Sequence, residues 1–280
     1  MYEYICRSCF RGGSTKATFW QISNAFVLIL LLYSFIFSQS NPPKPEFLFD
    51  GETLVYEVKY NYGILRGIDV GTLTFSVSKS EGVYNIRFEG RSKGTFVRLF
   101  GQRILQIFQS SVDAEKFRIL KTIKRDEQGN RIRDSEAVFD YKEKKVVFVE
   151  TDPNDPLKPP RKIASTIEEE THDLVSGIYR LRQSNLEIGK VIETTVSDSG
   201  LVYKIPVKVT GKEKRKTLLG NVWCFLVEPQ VFGQGRLIER EGRMIIWIAD
   251  NERRIPVLSR VYTNIGRLEV KLKQIQNSRN

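Results

Sequence analysis

Apolar and polar residues alternate along most of the chain from residue 54 onward. Leu54, Tyr56, Val58 and Tyr60 share one face, opposite Glu57 and Lys59. Leu73, Phe75 and Val77 repeat the pattern, as do Tyr84, Ile86 and Phe88. A period of two suits strands with one buried and one wet face, which predicts antiparallel sheets rather than the doubly buried parallel sheet of an α/β protein. Turn residues punctuate the segments at Tyr62-Gly63, Ser80-Glu81-Gly82 and Glu127-Gln128-Gly129-Asn130. The last of these lies between residues 117–123 and 132–139 and predicts a hairpin.

Residues 151–162 interrupt the alternation with Asp-Pro, Asn-Asp-Pro and Lys-Pro-Pro-Arg. Proline cannot donate to a ladder, so this stretch predicts a loop or a boundary between two β-rich portions. Residues 168–183 then change to a helical period, with Leu174, Ile178 and Leu181 on one face and Thr171 available as a cap. Alternation resumes through Leu201, Tyr203, Ile205, Val207 and Val209, and further strands are expected at 221–228, 244–249, 256–263 and 267–273. With no repeated βα unit, the pattern predicts a mainly β fold. The expected architecture is a large antiparallel β sandwich or partly closed β barrel with one short central helix.

The first 40 residues differ in kind. Arg7, Arg11 and Lys16 precede an uncharged stretch from residue 17 to 40, densest in apolar residues over 25–37. Ser38 and Ser40 stand where a signal peptidase would need small residues. The alternative is a retained anchor helix, since residues 19–37 are about long enough to span a bilayer. Either reading exports the remainder, to the periplasm or the periplasmic face of the inner membrane. A short linker is expected over 41–46, the β domain over 47–273 and a polar tail over 274–280. No cysteine follows the apolar run closely enough for lipidation.

The 280-residue chain carries 44 basic and 33 acidic residues, for a net charge of +11. That balance favours anionic partners such as acidic phospholipid or lipopolysaccharide. Nucleic acid is disfavoured, because no recognition helix, zinc-finger spacing or RNA-binding aromatic motif accompanies the charge. The pair Cys6 and Cys9 supplies half of a usual zinc site, and Cys224 sits in an apolar run as core material. His172, beside Asp173, suits a local hydrogen-bonding or surface role better than catalysis. Phosphate-binding glycine loops and nucleophile elbows are missing, and no cofactor is expected. Glu168, Glu169 and Glu170 read as a solvated acidic turn.

Two groups stand out as candidate binding residues. Lys212, Lys214, Arg215 and Lys216 form a basic run, expected in a turn between strands and able to touch anionic head groups. Trp247, Asp250, Arg253 and Arg254 form a ligand or structural cluster, in which an arginine pairs with Asp250 or Glu252.

Several short segments occur in a telling order: Gly51-Glu52-Thr53-Leu54-Val55-Tyr56, Gly71-Thr72-Leu73, Asp173 to Arg182, Trp247-Ile248-Ala249-Asp250, Arg254-Ile255-Pro256-Val257 and Ile265-Gly266-Arg267-Leu268. Over residues 47–273 this order resembles the DUF3108 family of uncharacterised bacterial envelope proteins. The resemblance implies a secreted or periplasmic β-rich domain with no established reaction, so it carries no catalytic roles. The expected function is a noncatalytic envelope protein that binds an amphipathic ligand or supports envelope structure. Lipid, lipopolysaccharide, polysaccharide or another envelope protein are the partners this reading admits. The alternatives are a membrane-associated assembly factor and a polysaccharide-modifying hydrolase.

Overall fold

The protein is described from a computed structural model covering residues 50–101 and 103–277. The expected signal or anchor and the linker after it lie outside the described residues. The first part of the chain forms β1 (Glu52–Tyr62), β2 (Leu65–Ser80), β3 (Val83–Ser92), helix α1 (Gly94–Phe100), β4 (Ile104–Asp113), β5 (Ile119–Gln128), β6 (Arg131–Asp140), β7 (Lys145–Thr151) and β8 (Arg161–Thr166). A two-residue β9 (Thr171–His172) and helix α2 (Leu174–Gln183) follow. The rest comprises β10 (Val191–Asp198), β11 (Leu201–Thr217), β12 (Gly220–Pro229), β13 (Gly242–Ala249), β14 (Pro256–Thr263) and β15 (Gly266–Asn277).

All fifteen strands belong to one sheet, in the order β8 back to β1, then β15 back to β9. Every neighbouring pair is antiparallel except β9 with β10. From a central seam on β1 the described chain meanders out to the edge at β8 and crosses to the opposite edge at β9. It then meanders home to β15, which pairs with β1 from Glu52↔Asn277 to Asn61↔Arg267. The β-rich portions flanking 151–183 are therefore two arms of one sheet. Residues 274–277, expected in a polar tail, continue the seam strand because Ile275 pairs with Leu54.

The sheet curls round α2. Val175 and Tyr179 pack into a cluster with Val77, Ile86, Phe108, Ile119, Phe139 and Val146 from the first arm. Leu181 packs with Val196, Ile205, Val207, Phe225 and Ile248 from the second. One helix thus supplies core to both arms. The two sides also approach each other directly, where Ser165 of β8 donates to the Gly200 carbonyl at 2.6 Å. Ser199 and Gly200 form the two-residue β10–β11 turn with φ of 51° and 83°, the left-handed geometry such hairpins favour. A Cβ on Gly200 would lie 2.7 Å from the Cβ of Phe148, so this turn admits glycine for space as well as conformation. The result is a partly closed barrel with a helix inside it, which matches the expected fold class.

Local details differ from expectation. α2 begins at Leu174, six residues later than the period suggested, because Thr171 and His172 pair with Thr195 and Val196. Its cap is Asp173, not Thr171: the carboxylate accepts from the Ser176 N–H at 2.7 Å, and the Ser176 hydroxyl accepts from the Asp173 N–H. Thr171 instead bonds to the Glu168 backbone. His172 is buried, not on the surface, with its ring beside Phe117. α1 was not anticipated. It is a short helix of about two turns whose Phe100 stacks edge-on against Tyr60 at 5.3 Å.

Asp173 does more than cap. It is buried, and it also accepts from the hydroxyls of Thr122 (2.7 Å) and Ser110, on β5 and β4. This pins the N-terminus of α2 to the first arm. Asp173→Ala removes a cap and strands two buried hydroxyls, so thermal or urea unfolding should show a loss of about 2–4 kcal/mol. Asp173→Asn, which keeps one acceptor, should lose about half of that. Equal stability of wild type and Asp173→Ala would contradict the pinning.

Candidate functional site

Two charged residues sit where apolar ones are expected. Glu52 is in step with Leu54 and Tyr56 along β1, and all three are buried. Arg182 lies on the stripe Val175, Tyr179, Arg182 that α2 turns toward the core. Glu52 is 1% exposed and Arg182 3%. Charges so placed persist only when paired and fully hydrogen-bonded.

The pairing is bidentate. Arg182 Nη1 donates to Glu52 Oε1 at 2.6 Å, and Nη2 to Oε2 at 3.0 Å. Arg253 Nη2 adds a bond to Oε2 at 3.0 Å. The Arg253 carbonyl, in the β13–β14 loop, accepts from Arg182 Nε and Nη2 at 3.2 and 2.9 Å. Planar fork-to-fork geometry of this kind is open to arginine and closed to lysine. The Tyr179 ring lies 5.0 Å from the guanidinium. Tyr56 donates to the Pro256 carbonyl at 2.9 Å. Burial pushes the phenols of Tyr56 and Tyr179 far above their ordinary range, so both remain neutral donors at any physiological pH.

Beside this network lies a cavity of about 130 Å³. Leu54, Tyr56, Leu73 and Phe75 wall it from the seam side, Ile178 and Leu181 from α2, and Met244, Ile246 and Leu258 from β13 and β14. Arg182 reaches the wall but its donors are engaged. Ser259 also lines it, and its buried hydroxyl has no hydrogen-bond partner among the described residues. The cavity is therefore an apolar chamber with one unspent polar group, which fits a mostly apolar guest carrying a single hydrogen-bonding function.

The expected cluster of Trp247, Asp250, Arg253 and Arg254 separates into different environments. Trp247 donates its indole N–H to Glu213 at 2.7 Å, with the guanidinium groups of Arg215 and Arg260 over its ring at 4.6 and 5.3 Å. The indole bond and Arg215 together hold the Glu213 carboxyl below the usual range. Asp250 pairs with Lys212 at 2.5 Å, not with an arginine. Arg253 joins Glu52 and also donates to Asn277. Arg254 stacks near Phe225 at 5.6 Å.

The basic run is likewise rearranged. Lys212, Lys214, Arg215 and Lys216 lie within β11, not in a turn, because the strand continues to Thr217. Lys212, Lys214 and Lys216 are exposed, while Arg215 turns to the other face against Glu213 and Trp247. Glu168, Glu169 and Glu170 each pair with a different cation: Lys204 at 2.6 Å, Arg118, and Arg180 at 2.9 Å. Cys224 is core material, and burial pushes its thiol up.

The sequence reading overlooked Glu52 and Arg182 as a pair. Their signal was phase: each is a charge on an otherwise apolar face. Residues 55–273 match the model of a family described as "Protein of unknown function (DUF3108)". No curated protein matches the chain. Among solved structures it is similar to a beta-barrel-like protein of domain of unknown function DUF1849 from Brucella abortus. The identity is 14% and the TM-score 0.52, over 82% of this chain and 98% of that one. At that identity the likeness is one of fold.

Arg182→Met leaves a carboxylate buried with one remaining charged partner, and should cost about 3–5 kcal/mol in chemical unfolding. Arg182→Lys should recover less than half, since an ammonium cannot span both oxygens and the Arg253 carbonyl. A loss below about 1 kcal/mol for Arg182→Met would show that the pair is not what holds this end of the helix.

Proposed function

The chain belongs to the DUF3108 family, and on that premise we propose that it is a noncatalytic binding protein of the bacterial envelope. Its cavity between α2 and strands β1, β2, β13 and β14 takes the apolar part of an amphipathic molecule. The observation that carries this reading is the combination of an apolar chamber with the unpartnered Ser259 hydroxyl. Its volume is comparable to a dry engineered cavity of about 150 Å³ that accepts benzene, so it suits a ring or the end of an acyl chain. The hydroxyl then meets an ester or alcohol of the guest. The uncharged stretch at residues 17–40, with small residues Ser38 and Ser40 at its end, supports export.

A second reading, as an assembly factor, draws on a different surface. Ile123, Val138 and Val147 are exposed on adjacent strands β5, β6 and β7, with Val138 directly opposite Val147. Such a row on a sheet face is suited to a protein partner.

Monolaurin, with one acyl chain and a small hydroxylated ester head, is a direct probe for the first reading. Equilibrium dialysis should show saturable binding to the full chain. Leu73→Trp, which fills the chamber, should abolish it without lowering the thermal midpoint. Ser259→Ala should weaken it about fivefold. Unchanged binding in Leu73→Trp would overturn the cavity as the binding site.

A further inference from the structure

The seam places two hairpin tips side by side. β1 pairs with β15 out to Asn61↔Arg267, so the β1–β2 tip at Gly63-Ile64 and the β14–β15 tip at Asn264-Ile265 project from the same rim. Each tip carries an isoleucine into solvent: Ile64 is 97% exposed and Ile265 60%. α1, which touches β2, adds Val97, Leu99 and Phe100, all exposed, to the same end.

Basic residues outnumber acids at these tips, although Glu241 adjoins Gly242, the strand partner of Thr263. Residues 60–68, 93–104 and 261–268, at the two tips and α1, contain no aspartate or glutamate, yet hold Arg66, Lys93, Arg98, Arg103 and Arg267. Lys93 pairs with Asp69, one residue beyond the first segment. The other four have no ion-pair partner among the described residues. Arg66 and Arg267 line one cleft between the tips, together with Asn61, Tyr62 and Tyr262. The Arg267 Nε is buried there without a hydrogen-bond acceptor.

We propose that this rim docks on an anionic lipid bilayer, with Ile64 and Ile265 entering the interface and Arg66 and Arg267 taking a lipid phosphate between them. The arrangement of apolar tips flanked by arginines without ion-pair partners among the described residues matches the chemistry of an interfacial anchor. An acidic protein partner would satisfy the arginines but leave two protruding isoleucines in search of a pocket. A bilayer interface satisfies both. The docking surface is separate from the cavity and does not depend on what the cavity holds.

The test labels the tip. In the full chain with Cys6→Ser and Cys9→Ser, an environment-sensitive nitrobenzoxadiazole dye is attached at Ile64→Cys, leaving the buried Cys224 unmodified. Vesicles of phosphatidylcholine with phosphatidylglycerol should raise the dye's fluorescence about twofold or more, and phosphatidylcholine alone should not. Inorganic phosphate at matched ionic strength should also leave it unchanged. The same dye at Glu143→Cys, in the β6–β7 turn at the opposite end of the strands, should not respond. Removing charge with Arg66→Gln and Arg267→Gln should weaken vesicle binding by about fivefold for each arginine. Leu73→Trp should leave the tip signal intact even if it abolishes monolaurin binding. The proposal is overturned by a silent tip label, by an equal response at Glu143, by charge variants that bind as well as the parent, or by a rise that tracks protein concentration without vesicles.

Discussion

The bidentate contact between Glu52 and Arg182 is the constraint on which the rest of the molecule depends. It ties the first turn-facing residue of the seam strand to the last turn of the only long helix among the described residues, 130 positions apart in sequence. Burying two charges costs several kcal/mol per ion before their attraction is counted. The contact repays that cost only because every neighbour cooperates, with Arg253 adding a donor to Glu52 and its carbonyl taking two donors from Arg182. An apolar pair could fill the same volume with comparable stability. What the ion pair adds is two directional hydrogen bonds that hold the helix end at one position against β1.

Fixing α2 at both ends explains how an open sheet of fifteen strands behaves as a barrel. Asp173 fastens the helix start to β4 and β5, and Arg182 fastens its end to β1 and the β13–β14 loop. Between those bolts, Val175 and Tyr179 fill the first arm and Leu181 the second. The edges need no backbone ladder to close, since the helix holds the arms at a set separation and the Ser165–Gly200 contact finishes the approach. A helix held by its polar ends also need not pack densely along every face. The cavity beside Ile178 occupies that slack next to the ion pair.

Much of this fold was legible from periodicity, and the reason is physical. A strand with one wet face must alternate, so Leu54 to Tyr60 and Leu201 to Val209 announce themselves, and the Gly129-Asn130 hairpin falls where its turn residues stand. Contacts set by long-range geometry were not legible. Asp173 displaced Thr171 as cap because β9 pairing used up the preceding residues, a fact held in Thr195 and Val196 rather than nearby. Lys212 to Lys216 look like a turn in isolation, yet β12 offers them partners from Asn221 to Phe225. Trp247, Asp250, Arg253 and Arg254 are close in sequence but take four different partners: Glu213, Lys212, Glu52 and Phe225 in turn. Glu52 and Arg182 were visible as charges out of phase, and the short segments holding them were already part of the family pattern.

Native-state hydrogen exchange at low denaturant tests the central claim most directly, because it reads the stability of each element separately. If the helix is bolted to both arms, the amides of residues 177–181 should exchange only through global unfolding, with the same free energy as amides of β1 and β15. Exchange of the α2 amides at distinctly lower free energy, while β1 and β15 stay protected, would show that the sheet stands without its helix and would contradict the account.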